Sequence, residues 1–185
     1  VSRQLGIANG ELQRLAATEP LTGVANRGAF DELIDREWRR CQRMNRPMAL
    51  VMVNIDHFRQ YNVMYGHEAG DTALRTIAAQ VARAAPRGTD HVARFGGDVF
   101  ALILGETDMQ GAMHVTHRLR QFVAELMLPH ASSVSPHVSV SCGVCSVVPR
   151  AELAPQKFVE SVTRAVEMAK SQGRNTMVAA EYDPS

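Results

Sequence analysis

Apolar positions recur along this chain in two rhythms, one with the period of a helix and one with that of a strand. Between Asn26 and Met44, the residues Phe30, Leu33, Ile34, Trp38 and Cys41 return every three or four positions, which predicts a helix with one apolar face. "MALVMVNID", residues 48–56, is short, rich in valine and almost continuously apolar, the pattern of a buried central strand. "GDTALRTIAAQVARAAP" predicts a further helix closed by Pro86. "HVARF" and "DVFALIL" predict two strands joined at Gly96–Gly97, the strongest hairpin signal in the chain. Residues 107–127 then read as a helix, 137–148 as a strand, 155–173 as a helix ended by Gly173, and "NTMVAA" as a last strand. Ahead of these, residues 1–17 place Leu5, Leu12 and Leu15 at near-heptad spacing on a polar background. That pattern fits a connector helix from an upstream region or a simple packing helix. Helices mixed with a hairpin in the order α-α-β-α-β-β-α-β-α-β imply an α+β fold, a mostly antiparallel or mixed sheet flanked by helices.

At 185 residues and 45% hydrophobic, the chain is long enough for one globular domain with a real core, placed at 18–185 behind the 1–17 connector. A net charge of +1 with scattered arginines generates no strong field, so neither nucleic acid nor a membrane surface is an expected partner. The first residue is Val1 and no leader or membrane-length apolar run is visible, so the chain reads as an excised, cytoplasmic piece of a longer protein, either soluble or membrane-anchored elsewhere. Cys41, Cys142 and Cys145 are few and odd in number, as expected of reduced thiols. Cys142 and Cys145 form C-x-x-C, but within an alternating strand they point to opposite faces, which argues against a redox or metal role. His114 and His117 share a helix face without a third partner and read as surface residues; Met44, Met48, Met52 and Met64 read as core filler.

The candidate chemistry gathers at the end of the central strand. Asn54 and Asp56 share one strand face while Ile55 faces the other way. Asp98 follows two glycines that let a ligand approach the backbone. A carboxylate-bearing strand end beside a Gly-Gly hairpin is how polymerase-like palms hold a divalent metal, with substrate phosphates and waters completing the coordination. An aspartate in a hairpin is also an ordinary turn residue, and spacing alone leaves both readings open.

From about residue 18 to 180 the chain resembles the GGDEF family, the diguanylate cyclases. Five blocks carry the resemblance in order: "EPLTGVANRGAF", "VNIDHFRQYNVMYGHEAGDTAL", "RGTDHVARFGGDVFALIL", "VSCGV" and "AKSQGRN". The resemblance implies a nucleotidyl-cyclase-like fold, a ferredoxin-like palm with a mostly antiparallel sheet. It also implies a reaction in which two domains, each holding GTP with Mg²⁺ or Mn²⁺, form a homodimer and condense two GTP into cyclic di-GMP and two pyrophosphates. Each 3′-hydroxyl attacks the partner's α-phosphate. Carried over position by position, Asn62 and Asp71 match the guanine-binding residues, as suits an amide and a carboxylate reading a base edge. Lys170 and Arg174 match the residues that hold the phosphates, Gly96 and Gly97 those that lie against the nucleotide, and Asp98 the catalytic acid. Asn54, Asp56 and Asp98 match a metal set. Arg87 and Asp90 match the R-x-x-D inhibitory site for product, and Arg118 resembles a basic residue that a neighbouring domain adds to it. His67 reads as support for the guanine loop.

Several positions depart from the family pattern. Val99 stands where the family has a metal-binding glutamate, and Asn54 where it has the first aspartate of D-x-D. Arg59 replaces lysine, Val63 aspartate and Glu19 aspartate, with further drift at Thr163 and Glu167. Two formal negative charges are thus missing where a transition state must be stabilised electrostatically. The expectation is a GGDEF domain impaired as a cyclase and acting as a cyclic di-GMP or GTP-binding regulatory module, downstream of a sensory or transmembrane region. The alternatives are a working cyclase and an interaction domain that binds no nucleotide.

Overall fold

The computed structural model describes residues 17–185, so the predicted connector helix lies outside the described residues except for its last position. Five strands form one sheet in the order β2-β3-β1-β4-β5: β1 (Met48–Ile55), β2 (Asp90–Gly96), β3 (Val99–Leu104), β4 (Val140–Val147) and β5 (Met177–Ala179). All pairings are antiparallel except that of β4 with β5. The central strand β1 is buried along its whole length, as its apolar run predicts. Helices α1 (Arg27–Met44) and α5 (Pro155–Ser171) cover one face; α2 (Phe58–Tyr65), α3 (His67–Ala84) and α4 (Met109–Glu125) cover the other.

The two faces of β1 divide the core. Val51, Val53 and Ile55 pack toward α2, α3 and α4, while Met48, Leu50 and Met52 pack toward α1 and α5. Helix α5 lies so close to β4 that a Cβ on Gly143 would stand 2.5 Å from the Val162 carbonyl oxygen. Helix α1 starts where the Asn26 side chain accepts from the Ala29 amide at 2.9 Å, and it ends at left-handed Asn45 (φ 50°). Its apolar face carries one unexpected residue, Glu37, buried but paired with Arg40 at 2.6 Å.

Two expectations need correction. Residues 58–69 gave no helical prediction, yet they form α2 and the first turn of α3, with the chain breaking at Gly66 (φ 93°). An eight-residue helix is too short to show a period. Among the four methionines read as core, Met48 and Met52 are buried, but Met44 and Met64 are about half exposed at 45% and 48%. Both lie on helices whose apolar face is turned elsewhere. As expected, Cys142 and Cys145 belong to opposite core layers.

Candidate functional site

The turn between β2 and β3 is held in place by its own strand. The β2–β3 ladder slips by one residue between Arg94 and Gly96. Just before the slip, the Arg94 side chain donates to the Gly97 carbonyl from Nε and Nη2, at 3.1 and 2.7 Å. Its Nη1 donates to Glu19. Glu19 also accepts from the amide and hydroxyl of Thr22, both at 2.6 Å. Burial raises the Glu19 pKa, but the bonds from Thr22 and Arg94 outweigh it and hold the carboxyl below the usual carboxylate range. Phe95 meets Phe30 edge-on at 5.2 Å, and the Arg27 guanidinium covers its ring at 3.7 Å. The Gly96–Gly97 turn is therefore clamped to α1 and to the entry segment, with both glycines exposed.

The end of β1 meets this turn and the segment after α5. The Ile55 amide donates to the Asp98 carbonyl at 3.0 Å, bringing the end of β1 to the turn. Asn54 stands directly opposite Val99 across the β1–β3 ladder. Directly paired side chains have Cβ atoms about 5 Å apart, so carboxylates at these two places could share one cation. Here the pair is an amide and an isopropyl group. Asp98 is half-buried, and among the described residues no donor reaches its carboxylate.

Asp56 departs from the expected metal set. It is wholly buried, and its carboxylate accepts from Ser141 Oγ at 2.5 Å, Ser139 Oγ at 2.7 Å and the Asn175 amide at 3.0 Å. Strand alternation does place Asp56 on the face of Asn54, but beyond Ile55 that face is roofed by Ser139, Ser141 and Asn175. Among the described residues no three His, Cys, Asp or Glu side chains form a metal cluster. Asp98 alone offers a free carboxylate and Asn54 one neutral oxygen. That donor set does not hold Mg²⁺ unless a nucleotide brings its own phosphate oxygens.

Past β1, α2 and α3 meet at a corner carrying Asn62 and Asp71. Asn62 fits there because position 70 is glycine: a Cβ on Gly70 would lie 1.7 Å from Asn62 Oδ1. That oxygen is buried and has no hydrogen-bond partner among the described residues, while Asp71 is exposed one residue past Gly70. The corner is braced from behind by buried His130, whose Nε2 lies 2.9 Å from the His57 carbonyl and whose ring meets Tyr61 edge-on at 5.2 Å. His67 is exposed at the start of α3, and His114 and His117 are exposed on α4 as predicted. Lys170, in the last turn of α5, pairs with Glu167 at 3.3 Å, a partly exposed contact that a phosphate could displace at little cost. Arg174 follows at φ 62°.

A second site lies at the opposite end of the sheet. Asp90 pairs with Leu104 and Ala49 with Leu104, whereas Asn54 pairs with Val99, so the two sites are about 15–20 Å apart along the strands. A cavity of about 670 Å³ opens there, lined by Arg46, Arg87, Asp90, Thr107, Asp108 and Arg118 among others. Arg87 forks onto Asp90 with Nε and Nη2 at 3.2 and 3.1 Å. Its Nη2 also donates to the Gly105 carbonyl at 2.9 Å and Thr107 Oγ1 at 2.6 Å. One edge of the guanidinium is thereby fixed, and Nη1 has no partner among the described residues. Arg118 donates from Nη2 to the Ala84 carbonyl, and its Nε is buried without a partner among the described residues. Arg118 thus lines the same cavity as Arg87 and Asp90 within one chain. Thr107 had no signal of its own in the sequence.

The fold has close counterparts among known proteins. The family described as "Diguanylate cyclase, GGDEF domain" matches residues 16–176. The chain belongs to the GGDEF domain family. It is 34% identical over 170 residues to the probable diguanylate cyclase DgcC of Escherichia coli, covering 91% of this chain and 45% of that protein. It is 33% identical over 165 residues to the diguanylate cyclase DgcP of Pseudomonas aeruginosa, covering 89% of this chain and 24% of that one. The GGDEF chain thus spans less than half the length of these curated relatives. The crystal structure of the coiled coil and GGDEF domain of DgcB from Caulobacter crescentus, in complex with c-di-GMP, superposes with a TM-score of 0.87 at 28% identity. It covers 97% of this chain and 93% of that one. The sheet order and flanking helices of this GGDEF domain are those of a nucleotidyl-cyclase-like palm, as expected. Among the described residues no helix is long and apolar enough to cross a membrane.

Proposed function

We propose that this GGDEF domain is the guanine-nucleotide-binding regulatory module of a cyclic di-GMP signalling protein, with its cyclase chemistry impaired. One observation carries the reading: across the β1–β3 ladder the facing pair is Asn54 and Val99, and Asp56 behind them is sealed in hydrogen bonds. Of the four positions expected to face the metal, 54, 56, 98 and 99, only Asp98 keeps an available negative charge. Binding features are retained on both sides of this deficit. The Asn62–Gly70 corner keeps an amide side chain at the position proposed to read guanine, and Lys170 and Arg174 supply cations for a polyphosphate. At the other end, Arg87 has a fixed fork with one free edge and Asp90 lies beside it, the donors and acceptor that suit guanine and phosphate. Cyclic di-GMP is the ligand proposed for that cavity, and a homodimer is the proposed assembly.

The deciding experiment measures cyclic di-GMP formed from GTP with Mg²⁺ or Mn²⁺ at high protein concentration, together with cyclic di-GMP binding. The expected result is binding without synthesis, with binding lost in the double variant Arg87→Ala, Asp90→Ala. Restoring the facing carboxylates with Asn54→Asp and Val99→Glu should then switch on synthesis. The unencumbered Asp98 carboxylate favours one other reading, a working diguanylate cyclase. Clear product from the unaltered domain would establish that instead.

A further inference from the structure

The segment that leaves α5 is bent in a way its own residues do not favour. Gly173, Arg174 and Asn175 are all left-handed, at φ 106°, 62° and 47°. Glycine adopts this backbone freely, asparagine tolerates it, and arginine does so only where surrounding structure enforces it. The helix end accounts for part of the bend, since the Gly173 amide donates to the Lys170 carbonyl at 3.3 Å and the Arg174 amide to the Ala169 carbonyl at 3.1 Å. Those bonds stop at Arg174, and Asn175 is held by other elements. Its amide donates to Asp56 Oδ2 at 3.0 Å, and its carbonyl accepts from Arg120 Nη2 at 2.6 Å. The Thr176 carbonyl then accepts from the Cys142 amide at 2.9 Å, where β5 begins to pair with β4. Asn175 is exposed, yet both polar groups of its backbone are gripped, one from the buried end of β1 and one from α4.

Asp56 is itself hydrogen-bonded on every side. Ser139 and Ser141 fix its two oxygens, its own amide donates to the Ser139 carbonyl at 3.0 Å, and no part of it reaches solvent. Burying a carboxylate is costly unless donors surround it. This one has three among the described residues: two serine hydroxyls and the Asn175 amide. A charged acceptor makes each of these bonds stronger than a neutral one would.

We propose that Asp56 and Arg120 are positioning residues for the phosphates of a guanine nucleotide. Gripping Asn175 from two sides, they lock the left-handed turn and aim Arg174 at the end of β1, beside Asp98. Lys170, in the last turn of α5, then lies on the same approach. The inference rests on the reading that this end of the sheet takes a guanine nucleotide, and it gives the acid once expected at the metal a different task. Asp56 acts through Arg174 and touches no ligand itself.

The test uses Asp56→Asn and Arg120→Ala, the second because it leaves the core intact if the first fails to fold. GTP and guanosine are titrated calorimetrically in metal-free buffer, and hydrogen exchange is followed at the Asn175 amide by NMR. Losing a bond to a charged group should weaken GTP binding about tenfold in each variant, leave guanosine binding within about twofold, and speed exchange at Asn175. Arg120→Lys, which retains a cation able to reach the Asn175 carbonyl, should recover part of the GTP affinity. Faster exchange with unchanged GTP affinity would overturn the inference, as would equal losses for GTP and guanosine. An unaltered domain that binds no GTP would instead remove the nucleotide reading on which the inference stands.

Discussion

A single hydrogen decides where Asn62 sits. Gly70 has no side chain, and the Asn62 amide oxygen occupies the space that a methyl group would fill, 1.7 Å from where a Cβ would be. Gly70→Ala must therefore eject Asn62 from the corner or push α2 away from α3. Overpacking of this kind costs about 1–3 kcal/mol. The expected outcome, read by calorimetry and thermal unfolding, is a lower Tm together with at least about tenfold weaker GTP binding. Adding Asn62→Ala to that variant should recover the Tm without recovering affinity. If Gly70→Ala alone binds GTP normally, Asn62 does not read the base. At the same scale, the sequence flags Glu19 as drift because it replaces the shorter acid of the family pattern. The structure has Glu19 reaching Arg94 and Thr22 together, so the extra methylene is absorbed by the entry turn.

At the level of elements, the β2–β3 hairpin is the part of the molecule most dependent on its clamps. Its turn residues are exposed, and its register slips at the residue before the glycines. The Glu19–Arg94 pair joins the turn to the segment ahead of α1, and its effect depends on pH with a definite sign. The folded Glu19 carboxyl titrates below its unfolded value. The stabilisation is therefore complete above about pH 4.3, the ordinary glutamate value, and is lost as pH falls through the folded pKa. Glu19→Gln should lower Tm near neutrality, and the gap from the unaltered domain should narrow as pH falls below about 4.3, the ordinary glutamate value. A gap that stays constant below that pH would show that the carboxylate charge is not what secures the hairpin.

Across the whole molecule, the sheet separates two dry layers, and the three thiols report on both. Cys41 sits on the buried face of α1, Cys145 in the same layer and Cys142 in the other, all buried and none in a disulfide. Burial pushes Cys142 and Cys145 up to about 12 and raises Cys41 as well. The thiolate is the reactive form. In the native domain, then, all three should resist iodoacetamide at about pH 8, a value below the ordinary thiol pKa, and should be alkylated together once the domain unfolds. Mass spectrometry across a urea series checks this. One thiol labelling well before the others would mean that one helical layer opens independently of the sheet.

The order of the strands and of the longer helices, the central buried strand, the Gly-Gly hairpin and the opposing faces of Cys142 and Cys145 were legible in the amino-acid sequence. Each depends on local period or turn chemistry, and both are local properties of the chain. The same holds for the missing acids at positions 54 and 99, which are matters of residue identity. What the tertiary structure alone decided is which partners those residues meet. Asp56 alternates in phase with Asn54 and so read as a second ligand, yet Ser139, Ser141 and Asn175, 83 to 119 residues away, close over it. Arg120 looked like any surface arginine until its guanidinium met the carbonyl of Asn175. The short helix α2 and the room that Gly70 makes for Asn62 were hidden for the same reason. A period needs length to be visible, and a contact between distant residues leaves no trace in either one's neighbours along the chain.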